Sequence, residues 1–403
     1  MKKLLLLGGL RYLIPVIKTA KRLGYYVITC DYLPENIAHN YSDEYHNVSI
    51  INKEAILQLA KSLKIDGIMS FAVDPGVTTA AYVSEIMGLP CPGPYESIEI
   101  LQNKGQFREF LEKHNFNVPK SKSFSNVEEA FSDFHFFDLP VIIKPVDSAG
   151  SKGVTKVIHE KQLEDAINHA INHSPTKTFI IEDFLKSKGY SSDSDCFSVD
   201  GEFKFISFSN QRFDAKSPNP FAPSAYSWPS TISRKNQDYL KFELQRLIKL
   251  LGMKTSIYNI EVRETLDNKA YIMEVSPRGG GNRLSEVLNY ATGINLIKNS
   301  IQGAMGEKIT EIIPPSYSSN WAEIILYSNR SGLFQELKID SRLDEYIVEV
   351  DLWVKKGDEI QSFNGANDTI GTLVLKFESL EKLELVLSEY SRYIEIDVIE
   401  SNF

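Results

Sequence analysis

The chain has 403 residues, of which 42% are hydrophobic and 24% charged. That balance excludes a disordered, collagen-like or membrane-embedded chain, and the length allows two to four domains at ~100–200 residues each. The formal net charge is −9, whereas a nucleic-acid-binding surface is basic, because neutralising phosphates supplies most of its affinity. No nucleic-acid partner is expected, although a small phosphate ligand needs only a few local cations.

The start, Met1-Lys2-Lys3 followed by Leu4 to Leu10, mimics a signal peptide, but Arg11, Lys18, Lys21 and Arg22 follow at once and no small-residue cleavage site appears. No stretch reaches the ~18–20 apolar residues of a spanning helix, so no membrane partner is expected. Cys30, Cys91 and Cys196 are odd in number and far apart, which fits structural thiols in a reducing cytoplasm.

Residues 3–8 (KLLLLG) read as a buried parallel strand, a short apolar run ended by glycine. A helix over 11–23 carries Leu13, Val16, Ile17, Ala20 and Leu23 on one face and stops at Gly24. A second strand, 25–30 (YYVITC), ends at Asp31, and a helix at 53–63 and a strand at 65–71 continue the alternation. This rhythm predicts a parallel sheet with helices on its faces. The segment LPCPGP at 89–94 marks the first boundary. Next come a helix over 96–115, a strand at 141–146 (VIIKPV), a glycine-containing loop, a helix near 161–172 and a strand at 179–184 (FIIEDF). The proline-rich stretch 214–229 reads as a surface loop. A long helix over 234–251 precedes strands at 256–264 and 270–275 joined by a turn at Asp267-Asn268, and the tail mixes strands with a helix near 379–392.

Several patterns imitate known sites and fail on chemistry. The first turn reads GGLRYLIP, lacking the second and third glycines that let a backbone approach a dinucleotide pyrophosphate. His169 and His173 lie four apart, but no glutamate base stands between them. Asp193-Ser-Asp195 begins like a calcium loop, yet its glycine comes too late, at 201. No phosphate-binding P-loop is present.

Four pieces remain, in order: Asn103-Lys104; Lys144 closing a strand, followed by Asp147-Ser148-Ala149-Gly150-Ser151-Lys152-Gly153; Glu182; and the pair Glu261 and Glu274 on strands that end at Ser276-Pro277-Arg278. Each alone has an ordinary structural reading. Together they describe a site. Carboxylates on adjacent antiparallel strands lie ~4.5–5.5 Å apart at Cβ when opposed, and a divalent cation explains such a pair better than folding does, because the two charges repel. Small residues and backbone N–H groups at 147–153 can wrap phosphates, lysines neutralise them, and Arg278 offers a planar fork for a carboxylate or an oxyanion.

In this order the pieces resemble the ATP-grasp superfamily over nearly the whole chain, and within it the branch of carbamoyl phosphate synthetase, glycinamide ribonucleotide synthetase, biotin carboxylase and the L-amino-acid ligases. The resemblance implies a mixed α/β and α+β fold. It would have an N-terminal Rossmann-like parallel sheet (1–94), a two-lobed ATP-grasp domain (95–310, with a lid at about 118–185) and a small C-terminal α+β subdomain (311–403). It implies ATP and Mg²⁺ (or Mn²⁺) as cofactors. Lys104 and Lys144 would bind nucleotide phosphates, and Ser148, Gly150, Ser151 and Gly153 would form the loop over them. Glu182 would accept from the adenine amino group, with Phe184 and Leu185 at the backbone contact. Glu261, Glu274 and Ser276 would face the metal, and Arg278 with Lys144 would act in catalysis. Gly279, Gly280, Gly281, Arg283 and Asp74 are substrate candidates.

Two positions depart from the pattern. Ser276 stands where the superfamily usually has asparagine, a better oxygen ligand. No glutamate follows the hinge to meet the ribose, leaving Asp193 and Asp195 in that stretch. The implied reaction joins a small-molecule carboxylate to an amine or thiol through an acyl phosphate, a phosphoribosylamine–glycine ligase being one form. An NAD(P)-dependent oxidoreductase and a non-catalytic ATP-binding regulator stay open. Oligomeric state is not legible, a homodimer being a common outcome for soluble enzymes.

Overall fold

A computed structural model describes residues 1–148, 150, 152–310 and 312–399. It is a mixed α/β protein with one parallel sheet and several antiparallel ones. The chain forms two compact units that are interleaved in sequence. One comprises Met1–Ser123, Asp193–Ser207 and Ser233–Pro315; the other comprises Phe124–Ser192, Phe208–Ile232 and Ser316–Phe403. The three-part division by chain order and the compact units thus cut the chain differently. The helices after residue 94 belong to the first unit, and the tail shares the second with two earlier segments.

In the first unit, the strands Glu44–Asn47, Tyr26–Asp31, Lys3–Leu7 and Gly67–Ser70 form a parallel sheet in that order. Leu4 to Leu7 are fully buried, as expected of a parallel strand covered on both faces. Helices Ile14–Arg22 and Lys53–Leu63 make crossovers between its strands, and helix Val77–Met87 follows its last strand. The helix expected over 96–115 is two, Tyr95–Gln102 and Lys104–Lys113. Asn103 between them is extended, and its side chain accepts from the Gln106 N–H as an N-cap. The second sheet of this unit has the order Glu202–Ile206, Ser192–Val199, Ser256–Glu264, Ala270–Ser276.

In the second unit, strand Val141–Pro145 pairs antiparallel with Thr155–Val157 on one side and Phe179–Asp183 on the other. Helix Leu163–Asn172 packs on this sheet, with Val141, Ile143, Leu163, Ile167, Phe179 and Ile181 in its core. A five-stranded sheet has the order Asn210–Phe213, Pro223–Trp228, Asn320–Leu326, Gly371–Phe377, Ile347–Leu352. The proline-rich stretch read as a loop therefore ends in a strand, with Tyr226 and Trp228 each 1% exposed. Pro223 sits at the first strand position, where its missing N–H costs no ladder bond. Among the described residues no helix is long and apolar enough to cross a membrane.

Candidate active site

Glu261 and Glu274 are direct partners across the antiparallel pair Ser256–Glu264 and Ala270–Ser276, and the register shifts immediately after Glu261. Both side chains are about one-third exposed, at 33% and 34%. Lys104 Nζ lies 3.4 Å from Glu274 Oε2. Lys104 opens helix Lys104–Lys113, where the helix dipole disfavours a cation; the acidic pair it faces offsets that. Arg263 lies 3.8 Å from Glu261 on the other side. Among the described residues no group of three or more His, Cys, Asp or Glu side chains is arranged to hold a metal. Two carboxylates at one point fit a Mg²⁺ ion that takes its other ligands from phosphate oxygens and water. His169 and His173 are both exposed, on the solvated helix face.

Below the glutamates in register, Asn259 faces Ser276. Asn259 Nδ2 donates to Asp193 Oδ1 at 2.6 Å. Burial, and then the charge of Glu261, push the Asp193 carboxyl up to about 7. Burial pushes Asp195 up to about 6, against hydrogen bonds from Ser285 Oγ and the Gly280 N–H. Both aspartates thus have partners inside the first unit.

Arg278 is only 8% exposed. Its Nε and Nη2 donate to the two carboxylate oxygens of Asp74, each at 2.7 Å. Burial opposes ionisation of Asp74, but the Arg278 guanidinium outweighs it and holds the carboxyl below its ordinary value. The Ser276 hydroxyl is buried; it donates to Asp74 at 3.0 Å and accepts from Gln102 Nε2 at 2.7 Å. Arg283 takes a left-handed φ of 59° and pairs with Glu286 at 3.0 Å.

The three glycines after Arg278 differ in their surroundings. A Cβ on Gly279 would fall 2.2 Å from the Phe71 ring, and one on Gly280 within 2.9 Å of Leu284, Asn259 and Asp195, whereas Gly281 faces open space. Gly279 and Gly280 are thus demanded by packing. Gly279→Ala is expected to lower stability by ~1–3 kcal/mol, the usual cost of overpacking. Phe71→Leu in the same chain should recover part of it, measured by urea titration; an unchanged midpoint for the single variant would refute the packing role.

In the second unit, Lys144 Nζ lies 2.9 Å from Glu182 Oε2, with the side chains 14% and 3% exposed. Ile142 is the direct partner of Glu182, so Lys144 reaches it diagonally across the ladder. Asp147 accepts from Ser174 Oγ at 2.7 Å and from the Thr176 N–H at 3.0 Å, which pins the start of the glycine loop to the turn after helix Leu163–Asn172. Gly153 has φ +74°, and a Cβ there would meet His173 and Pro145 at 2.8 Å; Gly150 has φ +69° and open space around it. Either position favours glycine. Ser148 begins the loop, and Ser151 lies outside the described residues. The Phe184 N–H donates to the Pro140 carbonyl at 3.0 Å, and Lys156 stands 3.7 Å over its ring. Phe184 and Leu185 are half-buried.

The alternative dinucleotide turn is filled by the protein itself. A Cβ on Gly9 would lie 2.4 Å from His39 Nε2 and 2.6 Å from Asn36 Cβ, and Asp31 accepts from Asn36 Nδ2 at 3.1 Å. Sequence reading singled out Asp74 and Arg278 separately and missed that they are partners; it also missed Gln102 and Asn259. No local pattern marks contacts between residues 204 positions apart.

Residues 137–286 match the model of the ATP-grasp domain. The carbamoyl phosphate synthase large chain of Thermoanaerobacter sp. (strain X514) is 26% identical over 222 residues, 54% of this chain but only 20% of that protein. This chain thus spans about a fifth of that relative's length. Among solved structures, phosphoribosylglycinamide synthetase from Anaerococcus prevotii superposes with a TM-score of 0.77 at 24% identity, covering 99% of this chain and 100% of the other. The L-amino acid ligase from Bacillus licheniformis superposes with a TM-score of 0.80 at 20% identity, covering 100% and 99%. At these identities the structural likeness establishes the fold. The matched segment contains Lys144, the glycine loop and the opposed glutamates already described, and over it this chain is similar to the ATP-grasp domain.

Proposed function

We propose that the protein is a Mg²⁺-dependent (or Mn²⁺-dependent) ligase that joins a small-molecule carboxylate to an amine, or to a thiol, and releases ADP and phosphate. The observation that carries this reading is the direct opposition of Glu261 and Glu274, with Lys104 beside Glu274. Two carboxylates and a lysine at one point suit a triphosphate with its metal, which would neutralise charge on the transferring phosphoryl group. In the second unit, Lys144 would meet phosphate oxygens, and Ser148, Gly150, Ser151 and Gly153 would wrap them with backbone N–H groups. Glu182, with Phe184 and Leu185, would read the adenine.

The substrate carboxylate attacks the γ-phosphorus, and the bond to the bridging oxygen breaks as ADP leaves. The amine nitrogen then attacks the acyl carbon, phosphate departs with the C–O electron pair, and the nitrogen loses a proton. Arg278 would stabilise the oxyanion formed in the second step. Gly281 and Arg283 belong to the loop that would take the substrate. The protein is expected in the cytoplasm.

A matrix of carboxylates and amines assayed for ADP release tests this. Glycine with phosphoribosylamine is included, because a phosphoribosylglycinamide synthetase shares the fold. ADP with stoichiometric phosphate is the expected product pair. AMP would mean adenylation and end the acyl-phosphate scheme. Mg-ATP binding with no ADP release from any pair would favour a non-catalytic regulator.

A further inference from the structure

The turn after strand Gly67–Ser70 grips the loop that carries Arg278 through several contacts, all within the first unit. The Ala72 N–H donates to the Gly279 carbonyl at 3.1 Å. The Phe71 ring occupies the place of a Gly279 side chain. Asp74 receives both Arg278 Nε and Nη2 at 2.7 Å, and Ser276 Oγ at 3.0 Å. Ala72 itself has φ 56°, a left-handed conformation that alanine keeps only where its surroundings over-determine it. That strain lies one residue past Phe71 and two before Asp74, at the carboxyl end of a parallel strand, where α/β sheets place functional groups.

The donor inventory of Arg278 is nearly exhausted. A guanidinium has five N–H groups. Nε and one Nη2 hydrogen go to Asp74, while Nη1 gives to the Gly279 carbonyl at 2.9 Å and to Asn259 Oδ1 at 3.3 Å. Among the described residues, that leaves one Nη2 hydrogen uncommitted, with its direction fixed by the fork on Asp74. The Ser276 hydroxyl is equally committed: its single hydrogen goes to Asp74, and it accepts from Gln102.

We propose that Asp74 is a positioning residue for Arg278, presenting one defined N–H to the reacting acyl group, and that Ser276 orients Asp74 instead of ligating the metal. This rests on the ligase reading above, in which Arg278 meets that group. It gives the N-terminal parallel sheet a task in the reaction, since its loop aims the arginine.

Asp74→Asn keeps the size and one acceptor but loses the charge and the two-oxygen fork. It should lower kcat about 100-fold, the scale of one oxyanion donor, while the Kd for Mg-ATP stays within about twofold. Asp74→Glu should recover part of kcat if the charge is what Arg278 needs. Ser276→Ala should lower kcat severalfold and leave the Mg²⁺ requirement of nucleotide binding unchanged. In ¹⁵N-labelled protein, the Arg278 Nε–H resonance, assigned by its loss in Arg278→Lys, should be protected from solvent exchange and become exchange-broadened in Asp74→Asn. An unchanged kcat, a persistent protected resonance, or an equal loss of Mg-ATP affinity in Asp74→Asn would overturn the positioning role. A raised Mg²⁺ requirement in Ser276→Ala would overturn the second part. If the wild type releases no ADP with any pair, the ligase reading fails, whereas loss of the resonance in Asp74→Asn would still uphold the link between the two residues.

Discussion

Glu274→Ala is expected to lower Mg²⁺-dependent ADP release by about 10³-fold, the upper range for a single group aimed at charge that develops in the transition state. Glu274 sits directly across from Glu261, and a divalent cation bound by one of them alone loses half of its protein ligands. The fold should hardly notice the change. The side chain is 34% exposed, and surface substitutions of that kind usually stay within ~0.5 kcal/mol. Removing one of two facing carboxylates also relieves repulsion. The wild type should gain melting temperature from Mg-ATP, by the stabilisation any ligand of the native state confers, and the variant should not. Glu261→Ala should behave alike, and the double variant should be little worse than either, because groups that act as one unit are not additive. Wild-type ADP release from Glu274→Ala would remove the metal assignment altogether.

This pair was legible because a hairpin is a local device. Glu261 and Glu274 lie symmetrically about Asp267-Asn268 in sequence, although the pairs nearest the turn are centred on Asp267 and it is the register shift after Glu261 that brings the two glutamates opposite each other. The buried strands Lys3–Leu7 and Tyr26–Asp31 were legible for a similar reason: continuous apolar runs ended by glycine or a charge admit few other readings. Strand Glu44–Asn47 (EYHN) was not, since an edge strand with only half-buried or exposed residues has no apolar signature. The break at Asn103 was hidden by a helical apolar pattern that runs on through it. Strand Pro223–Trp228 was hidden by Pro223 and the prolines that flank it, and its partner Asn320–Leu326 lies about a hundred residues on.

Interleaving of the two units has no local signature at all. Segments 208–232 and 316–403 join one unit because their strands pair, and pairing between distant segments is paid for only in the folded state. Paired carboxylates and the glycine loop could be read from spacing, but the partner of Arg278 could not. Asp74 stood out only for its place after a parallel strand, which names a location without naming a task.

Lys144→Met should separate folding from function in the second unit. Lys144 Nζ is 2.9 Å from Glu182 Oε2, and Glu182 is 3% exposed. Removing the cation breaks this buried ion pair, which typically costs ~3–5 kcal/mol. Trp228, Trp321 and Trp353, the three tryptophans of the chain, all fall in this unit, so tryptophan fluorescence during urea unfolding reports on it directly. The midpoint should fall steeply in Lys144→Met. Adding Glu182→Gln should restore most of it, since replacing both members of a buried pair with neutral groups of similar volume is often close to neutral. ADP release should not return with stability. If Lys144 meets phosphate and Glu182 the adenine, the refolded double variant has lost the phosphate cation and keeps only a neutral acceptor for the adenine, and should turn over ATP at least about 10²-fold more slowly. A double variant that is stable and fully active would show the pair to be structural only. An unshifted midpoint in the single variant would show that Glu182 does not depend on the lysine for its burial.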